Sequence, residues 1–403
     1  MRRVYMDANA TTPLLPEVME ALRPYFMERF GNASSVHSFG QHARSAVEQA
    51  RVHVAALLHC RPAEIVFTSG GTESDNLALF GATRPGDHLI TTTIEHHAVL
   101  HAVEKLAQCG REVTFVPCDS NGVVHSDDIR RALRPNTRLI SVMLANNETG
   151  AIQPVEEIGK IAAEATENTG AGVLFHTDAV QAASKLPLDV KALGCHLLSI
   201  SGHKIHAPQG TGILFVRKDT QIDPLFYGGT HERQRRAGTE NVAGIVGLGK
   251  AAEIARAGLD DGAMQRIAAL RDRLEREILT RVDQAGVYSG EVARVPNTTN
   301  LWFDHLEGEA LVIALDLKGL AVSGGSACAS GASEPSHVLT AMGVTTARAR
   351  ASLRFSLSKL TTEEDVDFAI NLVPQAVARL RELSPAYPAQ VSPAPQAKIS
   401  VAS

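Results

Sequence analysis

Seven short apolar runs rich in β-branched residues, at 64–68, 89–93, 113–117, 138–144, 173–177, 196–200 and 213–216, recur through the chain with helical periodicity between most of them. Strands buried on both faces read as near-continuous apolar runs, and alternation with helices makes neighbouring strands parallel. The pattern predicts an α/β fold with a mainly parallel seven-stranded sheet covered on both faces. After the fourth run, Pro154 stands at a helix start, where its missing N–H costs nothing, and Val155, Ile158, Ala162 and Ala165 follow at helical spacing. Only 201–212, with Pro208 and three glycines, separates the last two runs. That is too short for a crossover helix, so these two strands are expected to be antiparallel neighbours.

Beyond residue 241 the pattern changes to long amphipathic helices, notably near 264–282, with short strands near 300–303 and 352–356. We read residues 16–262 as a large ligand-binding domain, 263–384 as a smaller α+β domain, and 1–15 as a segment packing on the small domain. Residues 385–403, rich in Pro, Ala, Gln and Ser, read as a mobile tail. A length of 403 residues suits more than one core. The net charge of -5, with basic residues scattered, gives no footprint for nucleic acid. No apolar run approaches the roughly 20 residues that span a bilayer, and the default compartment is the cytoplasm. The five cysteines, Cys60, Cys109, Cys118, Cys195 and Cys328, are odd in number and form no C-x-x-C pair, which argues against a disulfide framework or structural zinc.

Three strand ends carry chemistry. Glu64-Ile65-Val66-Phe67-Thr68-Ser69-Gly70-Gly71-Thr72-Glu73-Ser74 reads as strand, glycine turn and helix start, so unpaired amides at Gly71 and Thr72 would face a phosphate. Alone, the stretch reads equally as a plain βα turn with a Thr cap. In Phe175-His176-Thr177-Asp178-Ala179-Val180-Gln181 a carboxylate ends a buried strand, where open α/β sheets bind ligands. Asp178 there can keep a pyridine nitrogen protonated, with Gln181 in reach of a ring hydroxyl; in isolation it reads as a helix cap. In Leu197-Leu198-Ser199-Ile200-Ser201-Gly202-His203-Lys204 a lysine follows the next strand, with Ser201 and His203 as phosphate donors. A lysine beside a pocket can form a Schiff base with an aldehyde cofactor, although a single lysine is ordinarily just solvated. Taken together and in this order, the three pieces describe a pyridoxal-phosphate site. His97 and His101 stand four apart, but with no H-E-x-x-H and no third ligand beside them they are assigned no metal.

The blocks Tyr5-Met6-Asp7-Ala8-Asn9-Ala10-Thr11-Thr12, Gly31-Asn32-Ala33-Ser34-Ser35-Val36-His37, Ala145-Asn146-Asn147-Glu148-Thr149-Gly150 and Arg235-Arg236-Ala237-Gly238-Thr239-Glu240-Asn241, with those above, resemble the class V aminotransferase-like cysteine desulfurases of fold type I. The resemblance runs to the start of the tail. Ser326-Ala327-Cys328-Ala329-Ser330-Gly331 resembles that family's active loop, and Glu334-Pro335-Ser336-His337-Val338 is most like the nitrogen-fixation (NifS) type. By resemblance, Lys204 is the Schiff-base lysine, His96 the ring-stacking and proton-handling histidine, Asp178 the pyridine partner and Gln181 the ring-hydroxyl partner. Gly71, Thr72, Ser201 and His203 resemble phosphate ligands, Asn147 a cofactor contact, and Arg354 and Asn9 the groups holding a substrate carboxylate. The family's counterpart of Thr239 reaches the phosphate of a neighbouring subunit, which implies a homodimer with shared sites. The chain departs from commoner family residues at Ala8, Ala33, His97, Gln209 and Gly324-Gly325.

The implied reaction converts L-cysteine to L-alanine, with sulfur held as a persulfide on Cys328 and passed to an acceptor. The NifS likeness makes that acceptor a scaffold protein building iron–sulfur clusters for nitrogenase. In such a complex Cys328 would also serve as a transient iron–sulfur ligand. Small residues around Cys328 fit a mobile loop, although composition alone leaves equal room for a structural cysteine in a tight turn. The other four cysteines are expected to pack as small apolar groups, and Arg233, Arg235 and Arg236 to frame an anion site before Thr239. The competing readings are a selenocysteine lyase or other class V enzyme sharing Lys204 and Asp178, which Cys328 discriminates, and a non-catalytic sulfur-relay partner. Intact Lys204, Asp178, His96 and Cys328 argue against the relay.

Overall fold

The structure is a computed structural model that describes residues 2–169, 172–324 and 335–383. Cys328 and the tail from 385 lie outside the described residues. The expected runs form Ile65–Thr68 (β1), His88–Thr92 (β2), Glu112–Val116 (β3), Thr137–Ser141 (β4), Leu174–Asp178 (β5), Leu197–Ser201 (β6) and Gly212–Val216 (β7). They make one seven-stranded sheet in the order β1-β7-β6-β5-β4-β2-β3. β7 runs antiparallel to β6, as expected, and also to β1; the remaining pairs are parallel.

Side chains alternate between two buried layers. Phe67, Ile90, Ile140, Phe175, Leu198 and Ile213 face one, and Val66, Leu89, Leu139, Leu174, Leu197 and Leu214 face the other. Each such side chain contributes about 1.5–3 kcal/mol by leaving water. Only the edge strand β3 shows exposed positions, Glu112 and Phe115. At the sheet's functional end the chains come close: a Cβ at Gly212 would lie 2.6 Å from the Gly70 Cα, so only glycine lets β7 begin beside the turn that follows β1.

The helix Val242–Asp260 packs on this unit, and a separate core lies beyond it. Ile267, Leu274, Leu301, Phe303, Leu353, Phe355, Val366 and Val373 join the helices Ala263–Arg281 and Glu363–Leu383 to the antiparallel strands Thr298–Phe303 and Ser352–Ser356. Val4–Tyr5 pairs with Leu320–Ala321, and Asp7 bridges to Ser356, which carries the N-terminal segment across this unit. The strands of two or three residues, such as Ala285–Val287, are too short to leave a period in the sequence.

One tertiary pair fixes the segment before Thr239. Glu232 is buried and accepts from both terminal guanidinium nitrogens of Arg51 at 2.8 Å and from the Phe67 amide at 2.9 Å. These contacts hold Glu232, Arg233 and Gln234 in left-handed backbone, with φ of 45, 57 and 67°. Cys195 is buried and Cys60 and Cys118 half-buried, but Cys109 is exposed, against expectation, because it caps the end of the helix His97–Gln108, past its buried face. Among the described residues, no helix is long and apolar enough to cross a membrane.

Candidate active site

A cavity of about 280 Å³ opens at the carboxyl ends of the parallel strands. Asn9, Gly71, Thr72, His96, Asn147, Asp178, Gln181, Ser201, His203, Lys204 and Arg354 all line it. Each arrives by a simple local route. Gly71 opens the helix after β1, and a Cβ there would come within 3.0 Å of Val180 and 3.4 Å of Ser201, so a side chain would fill the cradle. Beyond β4 the Val142 and Leu144 amides continue bonding to the His176 and Asp178 carbonyls, which carries the backbone to Asn147. Thr239 is exposed and outside this lining. Arg236 pairs with Glu73 at 2.9 Å, in the first turn after Gly71.

Lys204 lies in a single turn after β6, and its Nζ donates to the Asn9 and Ala10 carbonyls at 2.5 and 2.7 Å. The buried Asp178 accepts the Val180 amide at 2.8 Å; burial pushes its carboxyl up to about 6, with the Val180 bond and Lys204 pulling the other way. Behind it sits a residue the motifs did not single out, Asp75. Its carboxyl is held well above the usual range by burial and by Asp178. His176, 3.6 Å from Asp75, supplies no positive charge to offset this: its ring bonds Ser141 and Ser199, and burial pushes it down to about 3. The two carboxyl groups thus hold a proton between them, and a cation placed in the cavity against Asp178 would favour the ionised form of Asp178.

His96 caps the helix His97–Gln108, its Nδ1 accepting the Ala98 amide at 3.1 Å. Burial first, then the charges of Lys204, His97 and His337, push its pKa down to about 4. The ring is neutral at pH 7, and the hydrogen bond at Nδ1 assigns the proton to Nε2. His97 stacks on His101 at 4.9 Å between ring centroids and lies 4.7 Å from His337; among the described residues no group of His, Cys, Asp or Glu is arranged to hold a metal ion.

Arg354 is buried, with Nη2 on Asp7 at 2.8 Å and Nη1 on the Asn147 carbonyl at 2.9 Å. Its Nε and the Asn147 Oδ1 are buried without a protein partner. A buried donor left so is costly unless a ligand takes it.

Glu95 supports the site from behind, Oε1 accepting from Thr92 at 2.7 Å and from the Met143 amide at 2.9 Å. Burial pushes its carboxyl up to about 8 from 4.5, so the folded state holds a proton that the unfolded state releases, and stability falls as pH rises through that window. Glu95→Gln keeps the acceptor without the charge. It is expected to flatten the pH dependence of the thermal midpoint between pH 5 and 8 and to stabilise the protein by about 3–5 kcal/mol at the alkaline end. Calorimetry at the two pH values checks this; an unchanged slope would contradict it.

The family model described as aminotransferase class-V matches residues 4–368. The chain belongs to this family. A cysteine desulfurase IscS of Dictyoglomus turgidum is 46% identical over 95% of this chain and 97% of its own. A solved NifS-like protein from Rickettsia africae has TM-score 0.84 at 32% identity, over 94% of this chain and 100% of its own. SspA, solved in complex with cysteine, has TM-score 0.77 at 34% identity, over 89% and 100%. Within the class-V family the chain is a pyridoxal-phosphate-dependent enzyme of the cysteine desulfurase kind. The lining fits that cofactor: helix-start amides, Ser201 and His203 suit a phosphate, the Asp178 carboxylate suits a protonated ring nitrogen, and Lys204 suits the aldehyde carbon.

Proposed function

We propose that the enzyme takes sulfur from L-cysteine, holds it as a persulfide on Cys328 and passes it to an acceptor, releasing L-alanine. One observation carries the assignment of roles: a single cavity gathers the Lys204 amine, the Asp178 carboxylate and the Arg354 guanidinium. Pyridoxal phosphate, when bound, supplies an electron sink for charge developing at the substrate Cα. Asp178 sustains that sink by holding the ring nitrogen protonated, and Gln181 donates toward the ring oxygen. Gly71, Thr72, Ser201 and His203 receive the phosphate. Lys204 removes the Cα proton, His96 covers the ring and returns a proton, and Arg354 orients the substrate carboxylate, while Asn9, its amide donors taken by Asn147 and Thr298, shapes the wall beside it. The Cys328 thiolate attacks the substrate sulfur. An S–S bond forms, the Cβ–S bond breaks, and its electron pair stays on carbon, which is protonated and leaves as alanine.

Arg354→Lys tests the substrate pose. Lysine keeps the charge but loses the planar fork, and Asp7 competes for what remains. KM for L-cysteine is expected to rise about 10- to 100-fold, with the cofactor's visible absorption retained. An unchanged KM would remove Arg354 from the carboxylate site.

We assign cofactor binding to 16–262 and the cysteine loop to 263–384; the second core, drawn from 267–377 with Val4 and Met6, supports a separate small unit, although Val295, Val338, Leu339 and Met342 of that range pack into the first core. The same proposal makes the active form a cytoplasmic homodimer in which exposed Thr239 completes the partner's phosphate site. The NifS likeness directs the sulfur to clusters for nitrogenase, whereas the name IscS on the Dictyoglomus relative favours general cluster supply. Gene deletion separates the two: loss confined to nitrogenase supports the first, and loss across iron–sulfur enzymes the second.

A further inference from the structure

We propose that Lys185 is a positioning residue for the cofactor site, fixing the Gln181 amide so that its NH2 end turns toward Asn9 and the cavity. Lys185 is buried, and its Nζ donates to Gln181 Oε1 at 2.8 Å and to Asn9 Oδ1 at 3.3 Å. A lysine nitrogen held in this way acts as a donor, so it selects the oxygen end of each amide it meets. The opposite ends are thereby assigned. Gln181 Nε2 donates to the Asn9 carbonyl at 3.1 Å, the same oxygen that Lys204 Nζ reaches at 2.5 Å. Asn9 Oδ1 also receives Asn297 at 3.1 Å, which leaves Asn9 Nδ2 for the Asn147 carbonyl at 3.1 Å and Thr298 at 2.9 Å. One buried amine thus orients two amides of the site.

The charged groups facing Lys185 share its sign. Burial first, then Lys204 and Arg354, hold its pKa well below the ordinary lysine value, and His206 lies on its other side. Lys185 lines a second cavity of about 210 Å³ rather than the first, and Lys204 forms part of the wall of both. Its role is therefore to act through Gln181 and Asn9 and not to touch substrate.

The test rests on pyridoxal phosphate filling the first cavity, and uses the cofactor-loaded enzyme. A donor to the ring oxygen stabilises negative charge there and so eases proton loss from the adjoining nitrogen. In Lys185→Met the Gln181 oxygen loses its donor and only the Asn9 carbonyl still orients the amide, so the donor to the ring oxygen weakens and the pH midpoint of the visible absorption band moves up by about one unit. Lys185→Arg, which still donates, restores most of the wild-type midpoint. A purely structural lysine would change thermal stability or cofactor occupancy and leave the midpoint in place, so an unmoved midpoint in loaded Lys185→Met overturns the proposal. Should Lys185→Met not fold, ζ-15N-lysine NMR of the wild type reads the same claim. A second Nζ signal besides that of Lys204 shifts when cofactor is added, and a shift confined to Lys204 overturns it. Absence of any visible band in the wild type would instead remove the cofactor reading itself.

Discussion

Lys204→Ala is expected to fold, to hold pyridoxal phosphate only loosely, and to lose cysteine turnover by about 10³- to 10⁴-fold. The reason lies in what Lys204 touches. Its Nζ bonds are to the Asn9 and Ala10 carbonyls at the cavity wall, where water can replace it, so little stability depends on the amine. What disappears is, among the described residues, the amine placed to bond the cofactor and to move the Cα proton. The charge of Lys204 also contributes, after burial, to holding His96 and His203 down at about 4, so both histidines are expected to titrate higher in the variant. Cofactor that leaves on gel filtration, a folded protein and no alanine would together support the role; full retention of turnover would end it.

Cys328→Ala is expected to have the complementary phenotype. The cofactor site is intact, because every cavity-lining residue named above comes from elsewhere in the chain, so the visible band and the affinity for L-cysteine remain. Sulfur transfer is lost by about 10³-fold or more, since no other thiol is suitably placed. Burial pushes the Cys60 and Cys195 thiols up to about 12 and Cys118 to about 11, which leaves them protonated at pH 7, and Cys109 sits at the far end of the helix that His96 caps. Alanine and sulfide production measured on both proteins checks this. Undiminished sulfur release from Cys328→Ala would favour a lyase that needs no persulfide.

The strands were legible because all but the edge strand β3 are buried on both faces and so read as apolar runs; the antiparallel β6–β7 pair was legible from the shortness of its connection. The antiparallel β1–β7 pair was not, as nothing local records which strand closes a sheet edge. At the site, Gly71, Asp178 and Lys204 could be read from their place at strand ends, and His96 and Arg354 only from resemblance. Asp75, His176, Glu95 and Lys185 escaped because their importance is tertiary. His176 and Ser199 look like polar interruptions within apolar runs, and they meet only when β5 and β6 pair. Asp75 had a usable signal, lying three residues after Thr72 and thus on the same helical face. Lys185 had none: four residues after Gln181 in a run of turns, it looks like any solvated lysine.

The most direct measurement is the mass of the Cys328 peptide after brief exposure of the loaded enzyme to L-cysteine without reductant or acceptor. One added sulfur atom on Cys328, with one alanine released per sulfur and none on Cys60, Cys109, Cys118 or Cys195, is the predicted result. Alanine formed at full rate with Cys328 unmodified would contradict the persulfide mechanism.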